Sequence, residues 1–427
     1  MTATAYELIR QAAASTVEDL RLDPGRDSEE VREVVSSAVE DYQRRAHLGQ
    51  GRALADTREM VQRVVSAITD YGPFTPLFDR TDIEEIFIEG SRVSFIDGTG
   101  RLKGVTDPTT EAENRHIVNR LLGETDRHLD TANPIVQARV LDGSARLTAV
   151  IPPIADTLSA TIRRYALRRQ TLDGLVQLRA LTPGAAGFLW ALMQTTASTL
   201  LSGPPGAGKT SLLSALVAAA PPGHCVRAVE EVRELFVPIV HGSYYEARPP
   251  SLDQSGEVAM RDLVKVVLAM RPDRIVVGEV RGAEAFELTR AANAGCGFAC
   301  TVHANSARDA LNALVNAAMM AGENVSEPVV RKVFSATIDV VVHLDRDAIP
   351  VDGRDGLRRR VMEILAVVPA MGDDFTTEPL FVRDSIGDPL RWTGALPPTA
   401  TTRMIERSLP GDLNLREILE GRRLPPL

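Results

Sequence analysis

Nowhere does this chain run apolar for the length of about 18 residues that a membrane-crossing helix needs. Residues 1–10 also lack the basic start and apolar follow-on of a secretory leader, so the expectation is a cytoplasmic protein that meets membranes only through partners. A basic excess is missing as well. With 48 Lys and Arg against 57 Asp and Glu, the net charge is -9, which argues against gripping nucleic acid as the main task, because neutralising phosphates takes basic surface. Cysteine is scarce: Cys225, Cys296 and Cys300 are an odd number in strand-like surroundings, which excludes a disulfide framework and a thiolate metal centre. They read as small buried hydrophobes.

What is present is an ordinary globular composition, 44% hydrophobic and 25% charged, in 427 residues, enough for two or three domains with cores of their own. The sharpest signal is Gly203-Pro204-Pro205-Gly206-Ala207-Gly208-Lys209-Thr210, a full G-x-x-x-x-G-K-[ST] phosphate-binding loop. It follows an apolar run, Thr199 to Ser202, that reads as a buried strand, and precedes Ser211 to Ala220, which reads as a helix. Glycines let the backbone turn its N–H groups inward, so that loop and helix N-terminus together cradle a polyphosphate. Lys209 would reach the β- and γ-phosphates. The Thr210 hydroxyl would be a ligand for Mg²⁺, and Ser211 continues the phosphate-facing end of the helix.

Around that loop the chain falls into segments. Residues 1–71 carry helical periodicity, with Val31, Val35, Val39 and Tyr42 on one face and Val61, Val64, Val65 and Ile68 on another, and predict a small three-helix bundle. Asp27 and Ser28 with Glu30 read as the start of the second helix. Residues 72–170 read as strands with one helix, Thr110 to Leu122, an α+β domain with turns at Asp97-Gly98 and Asp142-Gly143. It ends with Arg146, Arg163 and Arg164, whose guanidinium forks suit a multi-oxygen anion or, more commonly, solvent and carboxylates. Residues 171–184 read as a linker, 185–345 as strands alternating with helices, and 346–427 as an extension with one clear strand, Arg358 to Val368. The alternation in 185–345 predicts a largely parallel sheet covered on both faces, with its ligand at the carboxyl ends of the strands.

Three polar groups close strands that could end beside the loop. Glu279 follows the apolar strand Arg274 to Gly278, where an acid orders Mg²⁺ or its water shell. Glu230 and Glu231 end another strand; Glu230 is the candidate for polarising an attacking water, against the alternative of a cluster capping a solvated helix start. His303, after Thr301-Val302, could sense a γ-phosphate and pass its loss to a subunit contact.

These motifs resemble the type II/IV secretion ATPases, and among them the branch that powers Tad/Flp-type pilus assembly. The resemblance runs from Asp70 to Asp345 and rests on Asp70-Tyr71-Gly72-Pro73, Asp142-Gly143-Ser144, Ala149-Val150-Ile151-Pro152-Pro153, the phosphate loop, Met270-Arg271-Pro272-Asp273-Arg274 and Val302-His303-Ala304-Asn305. It implies a RecA-like ATPase core, Mg²⁺-dependent ATP hydrolysis, a hexameric ring at the inner membrane and a membrane platform partner. It also implies that Glu230 and Glu231 form the Asp box, Glu279 the atypical Walker B acid and His303 the His box. Arg146, Arg163, Arg164 and Arg248 match arginines that approach the phosphates, in cis or across a subunit boundary, and Arg163 or Arg248 would offset transition-state charge. Three departures stand out: Glu231 where Asp is usual, Ala269 where Arg is common, and Asn293-Ala294-Gly295-Cys296-Gly297 without its usual histidine and one residue shorter before His303. Alternatives remain: a conjugative or secretion-channel motor in the same family, a nucleic-acid translocase, or a nucleotide-binding scaffold without useful hydrolysis.

Overall fold

The computed structural model describes residues 4–24, 26–98, 100–105, 109–164, 170–248, 250, 255–322, 324–347, 358–369 and 374–426. The chain separates into two compact units, residues 1–166 and 167–427.

The first unit begins with three helices, Ala5–Asp19, Ser28–His47 and Thr57–Thr69. Their apolar stripes meet through Ile9, Ala13, Val31, Val35, Val39 and Val64, all essentially buried. Thr4 and Glu7 cap the first helix reciprocally. At the second, Asp27 stands at the N-cap without capping by its side chain; its carboxylate instead accepts from the Asp23 N–H at 2.8 Å. Arg63 on the third helix forks onto the buried Glu113 carboxylate at 3.0 and 2.7 Å, tying the bundle to the helix Glu111–Leu122. That helix packs on a six-stranded antiparallel sheet of β1 (Ile83–Glu89), β2 (Arg92–Asp97), β3 (Leu102–Gly104), β4 (Ile135–Val140), β5 (Ala145–Val150) and β6 (Ser159–Arg164), in the order β3-β2-β1-β6-β5-β4. Burial in β5 alternates residue by residue, as a half-buried strand requires. The β4–β5 turn takes positive φ at Leu141, Asp142 and Gly143.

The second unit is built on a nine-stranded sheet. In chain order the strands are β7 (Ser198–Ser202), β8 (Val226–Glu230), β9 (Gly242–Glu246), β10 (Arg274–Val277), β11 (Gly297–Val302), β12 (Ile338–Asp347), β13 (Arg358–Val368), β14 (Thr376–Val382) and β15 (Arg391–Trp392). They lie in the order β15-β14-β13-β12-β7-β11-β10-β8-β9. From β12 to β9 neighbours are parallel; from β12 to β15 the sheet turns into an antiparallel meander. β7 and β10 are buried at every position, because helices cover both faces. Two apolar layers result. One gathers Phe188, Leu192, Leu213, Leu216 and Ile405, the other Val264, Leu288, Leu311, Leu314 and Phe334. Arg274 is fully buried at the start of β10, donates to the Ala197 carbonyl at 2.6 Å, and has its pKa pulled down to about 10 by burial.

Two stretches read differently from the sequence pattern. Within 171–184, residues Leu172–Gln177 form a helix, and Leu172, Leu175 and Leu181 join the core, so this stretch is packed structure rather than open linker. The tail beyond 346 continues the same sheet through β13, β14 and β15 and returns helices Thr399–Ser408 and Leu415–Leu419 onto its face. A Cβ added at Gly184 would lie 2.5 Å from the Leu419 carbonyl oxygen, so the tail seals against the helix Pro183–Met193 at backbone distance. Gly184→Ala is expected to destabilise this unit by about 1–3 kcal/mol through overpacking. A thermal midpoint equal to that of the native chain would show that the tail does not dock there.

Candidate functional site

The phosphate loop is shaped by its neighbours. β7 delivers the chain into Gly203, where φ is +150° and an added Cβ would sit 2.3 Å from the Leu344 carbonyl oxygen of β12. Only glycine fits such an approach. At Gly208 the backbone is left-handed, with φ +93°, and opens the helix Lys209–Ala218, whose first N–H groups have no partner within the helix. A loop of this form, ending at a helix N-terminus, is a receptor for anionic oxygens.

From the loop a continuous run of polar contacts crosses the carboxyl edge of the sheet. The Lys209 ammonium donates to the carbonyls of Gly203 and Pro204 at 2.9 and 3.2 Å and stands 3.1 Å from His303 Nδ1. An ammonium only donates, so toward Lys209 Nδ1 accepts, and on the other side of the ring Nε2 lies in close contact with Glu279 Oε1. Arg281 then bridges Glu279 Oε2 at 2.6 Å and Glu231 Oε2 at 3.1 Å. Groups following β7, β11, β10 and β8 are thereby linked in one line, which brings together Lys209, His303, Glu279 and Glu231. Arg281 was missed in the sequence, although it lies two residues after Glu279.

Glu230 behaves differently from its neighbour. It ends β8 with 5% exposure, and its Oε2 accepts from the backbone N–H groups of Glu234 and Leu235 at 3.2 and 3.0 Å. Its other side lies against Gly278, where an added Cβ would come within 2.7 Å of Cγ and 2.8 Å of Oε1. Burial pushes its pKa up to about 8, aided by the charges of Glu234 and Glu246 and opposed by the two N–H donors. Glu231 is exposed and accepts from Arg281 instead.

The arginines singled out by sequence have local partners. Arg146 donates to Gln137 Oε1 at 2.5 Å, Arg163 stands 3.8 Å from Glu85, and Arg164 donates to the Leu77 carbonyl at 3.2 Å and to the Arg80 carbonyl. All three belong to the first unit. Arg248, in the second, is exposed, bridges Val258 through its backbone and donates to the Gly256 carbonyl at 2.5 Å.

A divalent cation suits the acidic part of this line. Arg281 already holds two carboxylates, Glu231 and Glu279, on one cationic group, so both can face a single positive charge. Among the described residues no cluster of three or more His, Cys, Asp or Glu forms a metal cage. Mg²⁺ does not ask for one, since it keeps most of its waters and takes few protein oxygens. Also among the described residues, no helix is long and apolar enough to cross a membrane.

The family model described as type II/IV secretion system protein matches residues 72–363. A Mycobacterium tuberculosis protein named for conjugal transfer is 32% identical over 334 residues, covering 76% of this chain and 91% of its own. The type IV secretion system protein PtlH of Bordetella pertussis is 33% identical over 265 residues, 56% of this chain and 76% of its own. Among solved structures, the ATPase DotB of Yersinia pseudotuberculosis superposes with a TM-score of 0.51 at 15% identity, covering 69% of this chain and 78% of that one. At such identity the likeness speaks to the fold, which is the expected RecA-like one.

Proposed function

The chain belongs to the type II/IV secretion system protein family, and from that premise we propose that it hydrolyses ATP as the assembling motor of a secretion or pilus machine. The observation that carries this reading is the line Lys209–His303–Glu279–Arg281–Glu231 at the mouth of a phosphate loop. In it Lys209 and the loop N–H groups hold the β- and γ-phosphates, and His303, between Lys209 and Glu279, senses whether the γ-phosphate is there. Glu230 polarises the attacking water. Thr210, Glu279 and Glu231 would hold Mg²⁺, directly or through its waters, and the ion would neutralise charge on the phosphates. Arg163 and Arg248, both exposed, would offset transition-state charge on the nucleotide of a neighbouring subunit, and Arg146 and Arg164 would be further arginines approaching its phosphates. Turnover then depends on assembly into a ring, for which a hexamer at the inner face of the cytoplasmic membrane, docked on a platform protein, is the proposed form.

Two cargo readings have separate support. The motifs quoted above resemble the Tad/Flp pilus branch, whereas the M. tuberculosis and B. pertussis relatives are named for conjugal transfer and type IV secretion. The motor residues serve either. The test is Mg²⁺-dependent ATP hydrolysis over a protein-concentration series with light scattering on each sample. Specific activity is expected to rise as rings form. Activity that is flat in a monomer would overturn the cross-subunit arginines, stimulation by DNA would favour a nucleic-acid translocase, and nucleotide binding without turnover in assembled rings would favour a scaffold.

A further inference from the structure

The acidic groups described above reach the phosphate loop from one flank, since β11, β10 and β8 follow β7 on that side of the sheet. On the other flank stand β12 and β13, and there two arginines meet the loop. Arg359 of β13 donates from Nε to the Gly206 carbonyl oxygen at 2.9 Å, and its side chain runs past Gly208, where an added Cβ would lie 3.7 Å from its Cδ. Arg346 of β12 places its guanidinium at the same turn, with Nη1 3.0 Å and Cζ 3.5 Å from where a Gly206 Cβ would be.

Arg346 and Arg359 are direct cross-strand partners in the antiparallel β12–β13 pair. The next pair, Asp345 and Arg360, alternates to the other face of the sheet, where Arg360 donates to the Leu178 carbonyl at 2.9 Å. Two directly opposed cations thus converge on Gly206, the crown of a loop whose chemistry is to hold phosphate. Neither residue stood out in the sequence, because both lie in the stretch that reads as a tail.

The geometry points to a cationic bracket, Arg346 with Arg359, that holds the nucleotide at its non-transferred end, the α-phosphate side, from the flank opposite Lys209, His303 and Glu279. Arg346 makes the contact to the nucleotide; Arg359 is a positioning residue that fixes the loop by the Gly206 carbonyl. This rests on the reading of the site as an ATP site. Because the bracket stands away from the γ-phosphate flank, it binds ATP and ADP alike. It therefore supplies uniform binding, which shows in KM rather than in kcat.

The experiment is titration of the full-length chain with fluorescent ATP and ADP analogues, for the native protein, Arg346→Gln, Arg346→Lys and Arg359→Gln, together with steady-state kinetics. Arg346 is exposed, so its replacement leaves the fold intact, which a thermal melt checks. Arg346→Gln is expected to raise Kd for ATP and ADP by the same factor, about tenfold for one charge-assisted contact, and to lower kcat/KM by that factor mainly through KM. Arg346→Lys recovers part of the loss, and Arg359→Gln weakens both nucleotides in parallel. If the native chain binds and Arg346→Gln binds equally well, the bracket is wrong while the ATP reading stands. A loss confined to ATP would also overturn it, by putting Arg346 at the transferred end. If the native chain binds neither nucleotide, the ATP reading falls first and the bracket with it.

Discussion

Lys209→Ala is expected to weaken ATP binding by about 10- to 100-fold and to take hydrolysis below detection. The side chain is 7% exposed, and its ammonium is held by the Gly203 and Pro204 carbonyls and by the ring of His303. Phosphate oxygens with formal charge compete well with carbonyl oxygens for the same protons. A hydrogen bond to a charged group is worth about 1.5–3 kcal/mol, which is the source of the binding estimate. The loss in turnover exceeds the loss in binding because charge on the phosphates grows in the transition state, where one well-placed donor contributes about 10²–10³ in rate. Equilibrium binding and single-turnover hydrolysis, measured side by side, separate the two. The substitution leaves the loop without the cross-link between Gly203 and His303, so Lys209→Met, which keeps the length and apolar stem, is the companion variant. Native affinity in both variants would remove Lys209 from the phosphate site.

How much of this was legible in the sequence depends on whether the chemistry is contiguous in the chain. The phosphate loop needs eight consecutive residues and an abrupt turn from strand to helix, and both are written locally, so residues 203–210 could be assigned before any fold was known. Glu279 and His303 were legible for a related reason: each follows a short apolar run, and in a parallel sheet the ends of such runs share an edge. Arg281 was visible but carried no pattern of its own. Its meaning comes from being within reach of Glu231, 50 positions earlier. The strand Arg358 to Val368 was legible but its place was not, because residues 346–427 carry no motif and strand periodicity says nothing about which strand pairs with which. Arg346 and Arg359 were lost with it. The arginines show the opposite limit. Sequence can say that Arg164 suits an anion, but not that neutral carbonyls at Leu77 and Arg80 take its Nη1. Nor could it decide between two adjacent acids: Glu230 and Glu231 look alike on paper, and only the packing of β8 against Gly278 buries one and exposes the other.

Glu230→Gln is the substitution that separates binding from chemistry. Glutamine keeps the shape and one carbonyl oxygen for the Glu234 and Leu235 N–H groups, so the turn after β8 is retained. What disappears is the capacity to take a proton. Turnover is expected to fall by about 10²–10⁴, the contribution of a positioned general base, while ATP affinity stays within about threefold. A carboxyl whose pKa has been raised to about 8 by burial is a stronger base than an exposed one, although at neutral pH most of it is protonated. The native rate should therefore climb with pH toward 8 and level off, and the residual rate of the variant should lack that limb. Stability responds in the opposite sense. Between the ordinary carboxyl value of 4.5 and about 8, folded Glu230 keeps a proton that the unfolded chain has released. The native state then binds more protons than the unfolded one, so stability from this group falls as pH rises through that window and is fully lost above it. Glu230→Gln has no such proton, so its denaturation midpoint should gain on that of the native chain from about pH 5 to pH 8. A variant that hydrolyses at the native rate would take the base away from Glu230. A midpoint difference that does not change with pH would mean that the Glu230 carboxyl is ionised in the folded chain across this range, with the turn at 234–235 and solvent compensating its charge.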